Sequence, residues 1–124
     1  AQAAAYPSAA FEAKNMADVM KALGAGAPVA SKDVTVTGPD IAENGAVVPI
    51  TVSSALPGTR EIVLLVDGNP QPVAARFSIP PGTEAYVATR IRMAGNGTVY
   101  AAVRTNDGLY AAARTIEVTV GGCG

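Results

Sequence analysis

Cys123 is the single cysteine of the chain, and it stands in Gly121-Gly122-Cys123-Gly124 at the carboxyl end. Among side chains a thiolate is the strong nucleophile and the one that forms sulfur-sulfur bonds. Cysteine usually behaves as a small buried hydrophobe, yet a position one residue from the end lies where no core reaches. Three glycines around the thiol leave the backbone unrestricted, which predicts a tether and not a pocket. Four such residues extend about 13 Å, at about 3.3 Å each. An exposed thiol with a pKa near about 8.5 is ionised only to a small extent at neutral pH. The chain has no histidine, and no lysine stands near Cys123 to activate it. Activation must therefore come from whatever site receives the tether, a division of labour that describes a carrier acted on by other enzymes. The blander alternative is a frayed terminus with an incidental thiol.

Val118-Thr119-Val120-Gly121-Gly122-Cys123-Gly124 resembles the carboxyl terminus of the SoxY family, the sulfur carriers of the bacterial Sox sulfur-oxidising system. That family ends in Gly-Gly-Cys-Gly-Gly on a swinging arm; the sequence here stops at Gly124, one glycine short, which leaves the thiol chemistry untouched. The resemblance implies that Cys123 is the covalent attachment site for thiosulfate-derived sulfur and that Gly121, Gly122 and Gly124 form the carrier arm. It also implies an immunoglobulin-like sandwich, a periplasmic location, and a heterodimer with a SoxZ-like subunit that lacks the thiol arm. The partner enzymes it implies are a haem-containing conjugating enzyme, a sulfate-releasing hydrolase and a sulfane dehydrogenase.

The absence of histidine excludes a Ser-His-Asp triad, a Cys-His pair and an imidazole metal site. One cysteine allows neither an internal disulfide nor a CxxC redox centre. With no tryptophan and few other aromatics, base-stacking platforms are not expected. A formal net charge of -1 offers no field for nucleic acid or an anionic membrane. No apolar run approaches the about 20 residues of a membrane span. No cofactor or metal is expected, and no enzyme activity of the chain's own. The opening Ala1-Gln2-Ala3-Ala4-Ala5 has neither basic region nor hydrophobic stretch, and it suits a mature start left by signal cleavage.

At 124 residues the chain makes one domain. Residues 1–30 are expected to form a helix and linker packed on a β-sandwich of residues 31–120, with residues 121–124 as the arm. Ser8 is a good N-cap, and Phe11, Met16, Val19, Met20 and Leu23 recur with helical period before Gly24 and Gly26 stop the helix. From Ser31 the period changes to two. Strands are expected at 34–37, 47–53, 61–67, 73–79, 85–93, 99–104 and 109–120, separated by Gly, Pro, Asn and Asp turns that include Asn96-Gly97. About seven strands fit an antiparallel, immunoglobulin-like sandwich.

Five features carry sharper expectations. Pro49 cannot donate to a ladder, so its strand should be an edge or bulged there. Ile62-Val63-Leu64-Leu65-Val66 is apolar on both faces, so Ile62, Leu64 and Val66 fill the core while Val63 and Leu65 need a cover, the amino-terminal helix or a partner chain. In the last strand Leu109, Ala111 and Ala113 are out of phase with Ile116, Val118 and Val120, which predicts a bulge or a switch of sheets near Arg114-Thr115. Arg76, Arg90, Arg92, Arg104 and Arg114 are expected on outward positions, as a solvated face more than a steering surface for sulfur anions. Tyr86, Ala88, Tyr100 and Ala102, also outward, are expected to form a contact surface for a protein partner. Other readings of the whole are a structural or adhesive sandwich, and a dimer joined by an intermolecular disulfide through Cys123. A carrier of the ubiquitin-like kind would end in Gly-Gly, whereas this chain ends in Cys-Gly.

Overall fold

The computed structural model describes residues 28–119. The helix expected after Ser8 and the arm from Gly121 lie outside them. Within them the chain is β-structure throughout: β1 (Val29–Ala30), β2 (Val34–Thr37), β3 (Ile41–Ala42), β4 (Val48–Ser54), β5 (Glu61–Asp67), β6 (Val73–Ser78), β7 (Tyr86–Ile91), β8 (Gly97–Arg104) and β9 (Leu109–Val118). The seven longer strands are the seven read from the sequence; β1 and β3 are two-residue additions that pair parallel with β9. One sheet runs β1-β9-β8-β5-β6 with β3 also on β9, and the other runs β2-β4-β7. The longer strands pair antiparallel, as the immunoglobulin-like reading requires.

Period-two alternation decides which side chains meet. Val34 and Val36 of β2 and Val48, Ile50 and Val52 of β4 turn inward while the threonines and Pro49 between them turn out. They meet Ile62, Leu64 and Val66 of β5 and Val99, Ala101 and Val103 of β8 in one core. A fully buried Ile or Leu side chain such as Ile50 or Leu64 contributes about 2–3 kcal/mol.

Pro49 shows how a proline sits in the middle strand of a sheet. The Ser54 amide donates to Ala85 in the β7 direction, and the Ala55 amide donates to Asp33 in the β2 direction. Odd positions of β4 therefore point to β2, and Pro49 among them asks nothing of β7. The β2–β4 pairing ends at Thr37 opposite Thr51. Two residues further the same register would set Pro39 opposite Pro49, neither of which has an N–H, so the ladder cannot continue there for want of donors. The expected edge is thus local: β4 is central along most of its length and an edge at Pro49.

The expected bulge in the last strand is absent. β8 and β9 keep one register from Gly97 opposite Ile116 to Arg104 opposite Leu109. Tyr110, Ala112, Ile116 and Val118 take the core side, and Leu109, Ala111 and Ala113 take the other face. The branched Ile116 and Val118 fix the phase, and the alanines are small enough to accept either side. Arg114, opposite Val99, consequently falls on the core-side row and not on the outward one expected. Its guanidinium escapes at the sandwich margin, where Nη2 meets Asp40 Oδ1 at 2.7 Å.

The two outer faces also depart from the expected picture. Tyr86 and Ala88 lie on the outside of the small sheet, and Tyr86 is 54% exposed. Tyr100 and Ala102 stand beside Leu65 and Val63 on the outside of the large one. The four thus belong to opposite sides of the sandwich and form no single surface. Val63, Leu65 and Ala102 are all buried although none belongs to the core between the sheets. The helix expected to cover Val63 and Leu65 lies outside the described residues. Arg76 and Arg104 share this face, and they are not simply solvated: Glu61 stands between them, 3.2 Å from Arg76 Nη2 and 3.5 Å from Arg104 Nε. Arg90 and Arg92 are exposed, as expected.

Candidate functional site

The sequence directs attention to where β9 ends, because the glycine-flanked thiol follows it. Cys123, Gly121, Gly122 and Gly124 lie outside the described residues, so the described part of the site is the root from which they continue. β8 accompanies β9 only as far as Gly97 opposite Ile116. Beyond that point β9 runs without its main neighbour, and other groups hold it on either side. On one side β3 pairs parallel, Ile41 with Glu117 and Ala42 with Val118. The Glu117 amide donates to the Asp40 carbonyl at 2.9 Å, and the Thr119 amide donates to the Ala42 carbonyl at 3.0 Å. The Thr119 hydroxyl turns the same way, 3.3 Å from the Glu43 carbonyl. On the other side the Val118 amide donates to Asn96 Oδ1 at 2.7 Å. The Arg114–Asp40 contact ties β9 to the segment that leads into β3.

Sequence reasoning did not find these residues. Asn96 was legible only as half of an Asn-Gly turn, and Ile41-Ala42 is too short to give a periodic signal. Both act on the backbone of β9, one with its main chain and the other with its side-chain amide, which pattern reading does not see.

Acid-base chemistry finds no support among the described residues. Glu61 is engaged with two arginines and Asp40 with one. No group of three or more His, Cys, Asp or Glu among the described residues is placed to hold a metal ion. Thr105, the single buried polar residue among those described, uses its hydroxyl to accept from the Asp107 and Gly108 amides and shape a turn.

An immunoglobulin-like sandwich whose last strand is gripped on both sides, just before a glycine-flanked cysteine, defines a β-sandwich protein with a thiol-bearing segment after its last strand. The family model for the sulfur oxidation protein SoxY matches residues 19–123, and the chain belongs to the SoxY family. It is similar to the solved structure of the sulfur carrier protein SoxY from Chlorobium limicola f thiosulfatophilum, with 32% identity and a TM-score of 0.76, over 88% of this chain and 96% of that one. An engineered protein of known structure matches at 13% identity and a TM-score of 0.47, over 77% of this chain and 21% of that one, too distant to bear on fold or function. None of the curated proteins matches the chain.

Proposed function

We propose that this protein is a sulfur carrier of a sulfur-oxidising system, holding thiosulfate-derived intermediates on Cys123 and presenting them to partner enzymes on the arm Gly121–Gly124. The observation that carries the reading is the family match, which runs to residue 123 and so includes the cysteine. Two things support it further: the resemblance to a structure described as a sulfur carrier, and the hydrogen bonds that hold β9 as far as Thr119.

The chemistry follows from the thiol. In conjugation the Cys123 thiolate bonds to the outer sulfur of thiosulfate, and the electron pair released passes to the haem-containing conjugating enzyme. Hydrolysis by the sulfate-releasing partner adds water across the terminal S–S bond: sulfate leaves, protons are released, and one sulfane sulfur stays on Cys123. The sulfane dehydrogenase then oxidises that sulfur. The chain supplies none of the catalysis in these steps; it contributes a thiol and reach. The protein acts in the periplasm, paired with a SoxZ-like subunit through a sheet face that leaves the carboxyl end free.

Intact mass of the protein incubated with thiosulfate and the conjugating enzyme tests the reading. One reductant-labile sulfur adduct is expected on the native chain and none on Cys123→Ser. An adduct that persists in Cys123→Ser ends the proposal. A mass of twice the chain that reductant halves, with no adduct, points instead to a disulfide-linked dimer.

A further inference from the structure

The arm is useful only if its root has a defined place, since a tether of about 13 Å reaches a partner's active site from one point and misses it from another. The backbone of β9 requires something unusual at that root. Glu117 and Thr119 direct their amides to the β3 side. Val118, between them, must direct its amide the other way, towards β8. The β8–β9 register would call on Gly95 there, but the pairing has stopped at Gly97. Asn96 fills the gap with its side chain, presenting Oδ1 to the Val118 amide at 2.7 Å.

Asn96 is itself held. Asn69, in the turn after β5, donates its side-chain amide to the Arg92 carbonyl at 2.8 Å and accepts from the Ala94 amide at 2.9 Å. Gly97 lies so close to the end of β5 that a Cβ there would collide with the Asp67 carbonyl oxygen. The segment 92–97 is therefore pinned at both ends, one by a side chain from the β5–β6 turn and the other by a backbone approach that only glycine allows. Met93, fully buried, adds a third hold by donating its amide to the Gly45 carbonyl at 2.7 Å.

We propose that Asn96 is the positioning residue of the carrier arm: by standing in for the missing β8 partner of Val118, it fixes where strand ends and tether begins. This rests on the carrier reading above. Without it, only the β3 side holds the strand end, so the Thr119 bonds to Ala42 and Glu43 open more often, and each opening lengthens the tether by Val118 and Thr119, about 7 Å at about 3.3 Å per residue. Asn69 and Gly97 act through Asn96.

The test uses the full chain and two readouts. Amide hydrogen exchange is measured for Asn96→Ala and Asn96→Asp, with Val99 and Val103 as reporters of the intact sandwich. In Asn96→Ala the Val118 amide is expected to exchange about fivefold faster, the factor equivalent to about 1 kcal/mol for one hydrogen bond, while Val99 and Val103 are unchanged. Asn96→Asp keeps the acceptor and is expected to restore protection. The second readout is a methanethiosulfonate nitroxide attached to Cys123, the single thiol. Its paramagnetic broadening is expected to stay around residues 40–47 and 94–97 in the native chain and in Asn96→Asp, and to spread over a wider area in Asn96→Ala. Unchanged exchange at Val118, or an unchanged broadening pattern, in Asn96→Ala overturns the proposal. A nitroxide as immobile in the native chain as one on an interior strand sinks the carrier-arm reading instead, and the exchange measurement distinguishes the two failures.

Discussion

The two outer faces of the sandwich are built from strands of similar length and pattern, yet they are opposite in character. Outside the small sheet stand Thr35, Thr37, Pro49, Thr51, Ser53, Tyr86, Ala88 and Arg90, all of them exposed or half-exposed. Outside the large sheet Val63, Leu65 and Ala102 are buried, and the charges of Glu61, Arg76 and Arg104 are gathered into one cluster. The difference traces to β5, which is apolar at five consecutive positions, where β2 and β4 alternate strictly. A strand that spends every residue on apolar contact gives its sheet two cores; one that alternates gives its sheet one core and a wet side.

The sharpest way to break this contrast is to put a charge on each face. Leu65→Asp is expected to cost about 4 kcal/mol or more, enough to unfold much of the population, because an unpaired carboxylate is desolvated there. Thr51→Asp, on the other face, is expected to stay within about 0.5 kcal/mol. Urea denaturation of both variants checks it, and equal midpoints would mean that the large sheet's outer face is not a second core. Truncation gives a smaller effect of the same sign: Leu65→Ala is expected to lose about 2–4 kcal/mol, and Tyr86→Ala less than about 1 kcal/mol. Glu61→Gln should follow at about 1–3 kcal/mol, since it leaves two arginines beside a neutral amide, whereas Arg90→Ala should shift the midpoint hardly at all.

These same residues show how far the sequence could be read. The seven longer strands and the inward rows were legible because period-two patterning with branched side chains has one reading when a single face is apolar. β5 was legible as two-sided for the same reason. β9 was misread because alanine is indifferent: Leu109, Ala111 and Ala113 looked like a core row, and only the pairing with β8 shows that Ile116 and Val118 set the phase. Arg114 followed that error to the wrong side. Tyr86 and Tyr100 were grouped because both point outward, but outward has two directions in a sandwich, and only the strand order separates them. At the candidate site the thiol and its glycines stood out from the sequence alone, since the sequence has no histidine and no second cysteine. The grip on Val118 and Thr119 did not, because backbone carbonyls and a turn asparagine leave no periodic trace.

Pro39 and Pro49, just past the end of the β2–β4 ladder, have a consequence beyond the ladder they end. An exposed strand margin is a template on which a stray chain can add itself, and such additions lead to aggregates. At this corner of the small sheet an incoming strand would find carbonyl oxygens but, at both prolines, no donor to receive its own. Under the carrier function proposed above, the protein is handed from one enzyme to the next and exposes its surfaces repeatedly; two residues that make one margin unreceptive would help keep those encounters brief and reversible.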